Sequence, residues 1–433
     1  MPHHFLPRFS RLAPALLALL AAAPSCSKKE KEPDNALPSH SAMPGTGTSA
    51  GAIEVKPPVP TTGNNSDVPT TKDKPLPPES AERTEAGPKN ATGDEIPPEE
   101  RPKIAGKVAF ISERDGNREI YVIGADGKGE ERLTKSPHAD YNGPASPDGS
   151  ALLAIRVEGE EGPQQLLLQP LDGSPPKPLG PLAGRVRFPT FSPDGRFVVY
   201  ESNGGKVDPA HFSDLYRVNS DGSGFRRITK NDEGNFEPAF SPKGDAIVFI
   251  SSRDRVAELY RIRPDGSDPV RLTNTPRDEW GARYSPDGKV LVFVSDREGA
   301  DRIWLMPSSG GEARRLTQMR PAPRIVEEKP TWSPTGKRIA YALRVPEESA
   351  RVGLVAMEDG KETFVRAPGG TGHVGEPAWS PDGQYLAVTV TRGSEQQIWI
   401  VRADGSGMTK LTSSPGGNWN PIWIPPRKGK GGK

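Results

Sequence analysis

The stretch "EPAFSPKGDAIVFISSRDRVAELYRIRPDGSDPVRLT", residues 237–273, holds four short β-rich runs separated by tight-turn chemistry. The runs cover 238–241, 246–251, 258–263 and 270–273. Their alternation and their β-branched and aromatic content predict strands. Between them stand Ser241-Pro242-Lys243-Gly244 and Pro264-Asp265-Gly266. Proline presets φ in such turns, and glycine accepts positive φ without a steric penalty. Four strands joined by tight turns make one blade of a β-propeller, provided the unit repeats.

It does repeat. Ser-Pro-x-Gly recurs from Ser146, Ser192, Ser241, Ser285, Ser333 and Ser380, at spacings of about 46, 49, 44, 48 and 47 residues, the period of a propeller blade. Asp-Gly pairs follow the third run at Asp126, Asp172, Asp221, Asp265, Asp359 and Asp404. The first unit opens at what is elsewhere the second strand (107–113), and the chain ends on an opening strand (418–425) with no blade behind it. Pairing the two completes a blade and removes two exposed sheet edges. Second strands then begin near Lys107, Ala151, Arg196, Ala246, Val290, Arg338 and Tyr385. The expected fold is all-β: seven four-stranded blades over 105–426, closed by the C-terminal strand.

Lys plus Arg (57) nearly cancels Asp plus Glu (56) over 433 residues, for a net charge of +1. So even a balance supplies no global field to draw nucleic acid or an anionic membrane. The short basic tail 427–433 reads as solvated. Residues 1–25 have the layout of a signal peptide: Arg8 and Arg11, then an apolar run over 12–23 too short to span a bilayer. Cys26 is the single cysteine, so no intrachain disulfide can form. Ala23-Pro24-Ser25-Cys26 resembles a bacterial lipoprotein cleavage box, in which Cys26 would be the lipidated first mature residue. Ala23 and Pro24 depart from that pattern, and an incidental cysteine behind an ordinary export signal is the alternative. Ser27 after the cysteine favours the outer membrane by the same resemblance. Residues 26–104, rich in Pro, Ser, Thr and mixed charge, lack apolar periodicity and are expected to form a disordered tether.

The 237–273 unit, together with "ARYSPDGKVLVFVSDREGADRIWLMP" and "EPAWSPDGQYLAVTV", resembles the repeat of the TolB-type β-propellers of bacterial envelopes. TolB-type proteins carry a six-bladed ring preceded by a small α/β domain that engages an inner-membrane partner. Seven blades behind a tether depart from that plan, so TolB's own partners do not transfer.

In a propeller the Ser-Pro-x-Gly and Asp-Gly turns share one regular face. The other loops share a variable face, where binding residues usually sit. The inner strands enter the central channel from that variable face. Aligned on the turn motif, these entrances present Asn420, Asn142, Phe188, Glu237, Gly281, Lys329 and Glu376, and one position earlier Trp419, Tyr141, Arg187, Phe236, Trp280, Glu328 and Gly375. Aromatics with interspersed charge suit a peptide or protein loop. Tyr141, Asn142, Arg187, Phe236, Glu237, Trp280, Glu328, Glu376 and Trp419 are therefore the candidate partner-binding residues. Wedging of the aromatics between blades stands beside that reading. The ring Phe191, Phe240, Tyr284, Trp332, Trp379 and Trp423 is assigned to the inter-blade core.

No nucleophile elbow, phosphate-binding loop, His-Glu-x-x-His or cysteine metal motif occurs in the region expected to fold. No catalytic residue, metal or cofactor is expected. His138, His211 and His373 come from separate blades with no shared spacing and read as scattered surface histidines, although some TolB-like propellers resemble pectin-fragment lyases that hold a metal with histidines on this face. The expectation is a non-enzymatic envelope scaffold for a protein or peptide, held to the membrane by its lipid anchor only and binding no nucleic acid. A soluble periplasmic or secreted protein is the alternative location. A metal-dependent polysaccharide lyase or hydrolase is the alternative function.

Overall fold

The computed structural model describes residues 95–427, except 205–212, 230–233 and 319–324. The signal-like stretch, Cys26, the rest of the tether before 95, His211 and the tail from 428 lie outside the described residues. Seven four-stranded antiparallel sheets follow one another, each running from an inner to an outer strand in chain order. Blade 1 is the composite one. Asn418–Ile424 pairs antiparallel with Lys107–Ser112, followed outward by Glu119–Gly124 and Glu131–Arg132. Blades 2 to 7 begin at the inner strands Ala139–Ala145, Val186–Phe191, Asn235–Phe240, Glu279–Tyr284, Val326–Trp332 and His373–Trp379. The seven-bladed ring closed by the last strand, expected from the repeat, is the fold observed.

The repeated turn has a side-chain cause. In blade 2, Ser146 Oγ accepts the Ala151 N–H at 3.0 Å and donates to Asp148 at 2.6 Å, while Gly149 takes φ 68°. Ser192, Ser285 and Ser380 repeat this bond to the aspartate of their own turn at 2.6 Å. Where lysine replaces that aspartate in the fourth blade, Ser241 donates instead to Asp245 at 2.6 Å. The motif is thus a hydrogen-bonded clip that launches the second strand.

The second strands are the dry layer: Ile247–Ser251, Val290–Ser295 and Tyr385–Arg392 are almost wholly buried along their central residues. The large aromatics at the end of the inner strands fill the gaps between blades, as expected. Trp332 Nε1 donates to the Arg283 carbonyl of the preceding blade at 3.3 Å, and Trp379 Nε1 to the Thr331 carbonyl at 3.3 Å. Trp423 packs with Ile398 and Ile400 of blade 7.

Two features went unread in the sequence. First, the packed chain starts at 95 rather than 105. Ile96 and Ile104 are buried against Val108, Ile400 and Trp423, and Glu100 accepts from Tyr385 (2.7 Å) and Arg402 (2.6 Å). The disordered tether expected over 26–104 therefore ends earlier than that, because two isoleucines in an otherwise polar segment suffice to dock its last turn across the junction of blades 7 and 1. Second, a buried polar stitch ties outer strands to third strands. Thr134, Thr229, Thr273 and Thr412 each accept a third-strand N–H at 2.9 Å. The same hydroxyls donate to Glu119, Asp214, Glu258 and Gln397. Arg132, Arg227 and Arg271 close the acids of three of these sets by ion pairs of 2.9, 2.6 and 2.9 Å.

Candidate functional site: the channel entrance

Every inner strand breaks register at the same place. The irregularities fall between Asn142 and Ala145, Arg187 and Thr190, Phe236 and Ala239, Trp280 and Arg283, Glu328 and Thr331, Gly375 and Ala378, and opposite Ala109 and Ile111 in the closing blade. A bulge of this kind re-aims a side chain and ends regular pairing. At its apex, Phe188, Glu237, Lys329, Glu376 and Asn420 have φ of 48°, 49°, 54°, 53° and 55°, and Gly281 has 68°. Each of the five non-glycine residues precedes a proline. Left-handed backbone in non-glycine residues stores of order 1–3 kcal/mol each and persists only where the surroundings enforce it.

At three junctions, blade 7 to 1, 1 to 2 and 4 to 5, a partial belt of bonds from blade to blade helps to enforce it. Glu376 accepts the Asn420 N–H at 2.7 Å and the Thr389 hydroxyl at 2.7 Å. Asn420 Nδ2 donates to Asn142 Oδ1 at 2.8 Å, and Asn142 Nδ2 donates to the Asn420 carbonyl at 2.9 Å. Glu237 accepts from the Gly281 backbone in the same relation, one blade to the next.

The nine candidate residues separate accordingly. Asn142, Glu376 and Glu237 belong to the belt. Glu328 is ion-paired to Arg344 at 2.7 Å. Tyr141 is capped by Arg118, whose guanidinium lies 5.5 Å from the ring centroid and donates to the phenol. Trp280 packs on the core shared by blades 5 and 6, which realises the wedge reading for that side chain. Phe236 and Trp419 are half-buried. Arg187 is exposed, as are its neighbours in the ring Phe188 and Lys329, Phe188 at 42%.

Two further residues belong here and were not singled out. Across the first two strands of blade 3, Arg187 faces Glu201. The equivalent pairs elsewhere include Phe236 with Ile250, Trp280 with Val294, Tyr141 with Ile155 and Trp419 with Ile111. A charged pair thus replaces an aromatic–aliphatic one. Glu201 is 2% exposed, its Oε2 meets no partner within hydrogen-bond geometry among the described residues, and burial pushes its carboxyl up to about 7 against the pull of Arg187 and of the nearby Ser213 hydroxyl. Arg283 lies two residues beyond its bulge apex, where the other blades have Pro144, Thr190, Ala239, Thr331, Ala378 and Ile422. Burial lowers its pKa, and the nearby Glu237 carboxylate opposes that shift. The departure from the repeat consensus at 201 and 283 was the signal available in the sequence.

Among the described residues no group of three or more His, Cys, Asp or Glu side chains converges in a way that would hold a metal. His373 Nδ1 accepts the Ala350 N–H at 3.0 Å, and His138 lies in the loop ahead of the second blade, its backbone N–H donating to Ser136 at 3.0 Å.

The family model described as "TolB beta propeller domain" matches residues 213–325 and 323–429. The Tol-Pal system protein TolB of Anaeromyxobacter dehalogenans is 35% identical over 100 residues, 23% of this chain and 22% of that one. The first curated relatives are matched over only 30% and 22% of their own length. Among solved structures, a puromycin hydrolase superposes at TM-score 0.57 with 17% identity, over 72% of this chain and 53% of the other. An oligogalacturonate lyase in complex with manganese superposes at 0.54 with 18% identity, over 68% and 85%. At that identity the two enzymes share the fold alone. With the repeat, the seven closed blades and the family match in agreement, the chain belongs to the TolB β-propeller domain family.

Proposed function

We propose that this protein is a non-enzymatic scaffold of the bacterial cell envelope that holds an extended peptide or protein loop at the channel entrance. The observation that carries the reading is the belt of left-handed residues around that entrance. A ring of re-aimed side chains, held by inter-blade bonds and including an exposed phenylalanine, is a prearranged surface, and preorganisation is what lowers the entropic cost of binding. The kinship with a Tol-Pal system protein favours the envelope as the setting. Export followed by acylation of Cys26 would place the propeller on a leash there, with the membrane contacted through the lipid alone.

A photo-crosslinking residue placed at Phe188, with a control at Arg196 on the opposite face, tests the reading in the native envelope. Adducts are expected from position 188 and not from 196. Equal labelling from both, or turnover of an oligosaccharide that a chelator abolishes, overturns it. Cys26→Ser is expected to move the protein from the membrane to the soluble fraction; unchanged sedimentation removes the anchor and leaves simple export.

A further inference from the structure

Most arginines flanking the channel-entrance face are satisfied. Arg114, Arg118, Arg156, Arg297 and Arg344 each touch a carboxylate. Arg187 and Arg283 do not. Among the described residues, Arg187 makes no side-chain hydrogen bond or ion pair. Among the described residues the Arg283 side chain donates only to the carbonyl of its own neighbour Ala282, at 2.8 Å. Both border Glu237, whose carboxyl already accepts from Gly281, and Lys329 stands exposed on the next blade but one. The buried Glu201, the other acid of this wall, leaves Oε2 without a partner in hydrogen-bond geometry among the described residues. Two guanidiniums, Arg187 exposed and Arg283 half-buried, thus keep unused donors; no other blade carries charge at the position of Arg283, and Glu328 alone shares a charge at that of Arg187. A desolvated guanidinium gains most from a planar bidentate acceptor.

We propose that the channel wall formed by blades 3 to 5 is a carboxylate-binding site in which Arg187 and Arg283 take an acidic group of the bound peptide. The inference rests on the scaffold reading above and names its ligand: an acidic segment rather than a basic or purely apolar one. Phe188 beside the pair supplies an apolar contact for the residue next to the acid. Lys329 adds positive potential without committing to a partner.

The test uses the full-length protein and a synthetic pool of random heptapeptides, prepared once with free C-termini and once amidated, with retained peptides identified by mass. Wild type is expected to enrich acidic peptides about ten-fold over the input, the scale of one charge-assisted hydrogen bond. Enrichment that survives amidation assigns the carboxylate to Asp or Glu side chains, and acidic enrichment lost on amidation means that the C-terminal carboxylate is needed beside them. Arg187→Gln with Arg283→Gln should abolish the enrichment while peptides of other composition are still retained. Arg187→Gln alone, an exposed position, should reduce it without changing the unfolding midpoint. Arg196→Gln, on the far face, should leave it intact. Retained peptides with no acidic bias, or a bias unchanged in the double variant, overturn the carboxylate site and leave the scaffold standing. Retention of no peptide from either pool overturns both.

Discussion

The outer stitch and the channel wall use the same side chains to opposite ends. At the rim, Glu258 is fully buried and satisfied three times over, by Thr273, by the Thr275 N–H at 2.7 Å and by Arg271 at 2.9 Å. At the channel, Glu201 is just as deeply buried, yet among the described residues it has only the nearby Ser213 hydroxyl, and it faces an arginine that makes no ion pair among them. A buried carboxylate with full hydrogen bonding fixes one arrangement of the backbone. One left short of partners is tolerated where something other than stability is selected. The difference separates a part of the molecule that holds the ring together from a part that the ring holds in place.

The largest effect should come from removing the closing strand, residues 418–427. Blade 1 would lose its inner strand, Trp423 would leave the core, and two sheet edges would open. Loss of the single cooperative transition in denaturant is the expected outcome; a truncated protein with the wild-type midpoint would refute closure. Next in size is Glu258→Ala, which strands Arg271, Thr273 and the Thr275 N–H together. Breaking a buried pair on one side costs about 3–5 kcal/mol. The matching change at the channel, Arg187→Ala, removes an exposed side chain with no bond to lose and should shift stability by less than about 0.5 kcal/mol. Equal losses for the two, measured by urea unfolding, would erase the distinction.

The sequence carried the ring because its information is repeated. Six copies of one clip, each tied by Ser Oγ to its own turn, specify where second strands start, and the unpaired ends at 107 and 418 specify how the ring closes. The rim stitch was also written there, as Arg-Leu-Thr at 132–134, 271–273 and 315–317, with Glu119 and Glu258 fifteen residues before their threonines. It was read only as strand because a hydroxyl's partner lies across the sheet, not along it. The candidate site was half legible. Aligning the entrances picked out the ring of bulged positions, yet alignment could not show that Trp280 turns to the core or that Glu328 is taken by Arg344. Glu201 and Arg283 escaped because they lie off the aligned column, although each breaks the blade consensus at its own position. Residues 95–104 escaped for a simpler reason, since a tether's composition conceals a short docked end.

Glu201 offers a test by pH. Its carboxyl titrates near 7 in the folded protein, against an ordinary value of 4.5. Between those values the folded state holds a proton that the unfolded chain has released, so this group makes stability fall as pH rises through the interval. Glu201→Gln mimics the neutral form and should abolish that fall. The variant is expected to match wild type at pH 4 and to exceed it by about 3 kcal/mol at pH 8, because each tenfold change in proton affinity is worth about 1.36 kcal/mol. Identical pH profiles for the two proteins, followed by thermal unfolding, would mean that Glu201 is ionised and paired, and the contrast with Glu258 would fail.

A smaller effect than that of Glu201 is the most specific to the strained belt. At an ordinary strand position glycine is less stable than alanine by about 0.5–1 kcal/mol, because the unfolded chain gains freedom. Phe188 has φ 48° and an exposed ring, so truncating it removes little buried surface. Alanine there keeps a Cβ in left-handed backbone, which costs about 1–2 kcal/mol, and glycine does not. The usual order should therefore reverse: Phe188→Gly should be more stable than Phe188→Ala, by up to about 1 kcal/mol after the unfolded-state term is subtracted. Both variants should lose the crosslink or peptide contact made by the ring, so that stability and binding part company at one residue. Alanine more stable than glycine at 188, with the fold otherwise intact, would show that the entrance relaxes to extended backbone in solution, and the prearranged surface on which the binding reading depends would not exist.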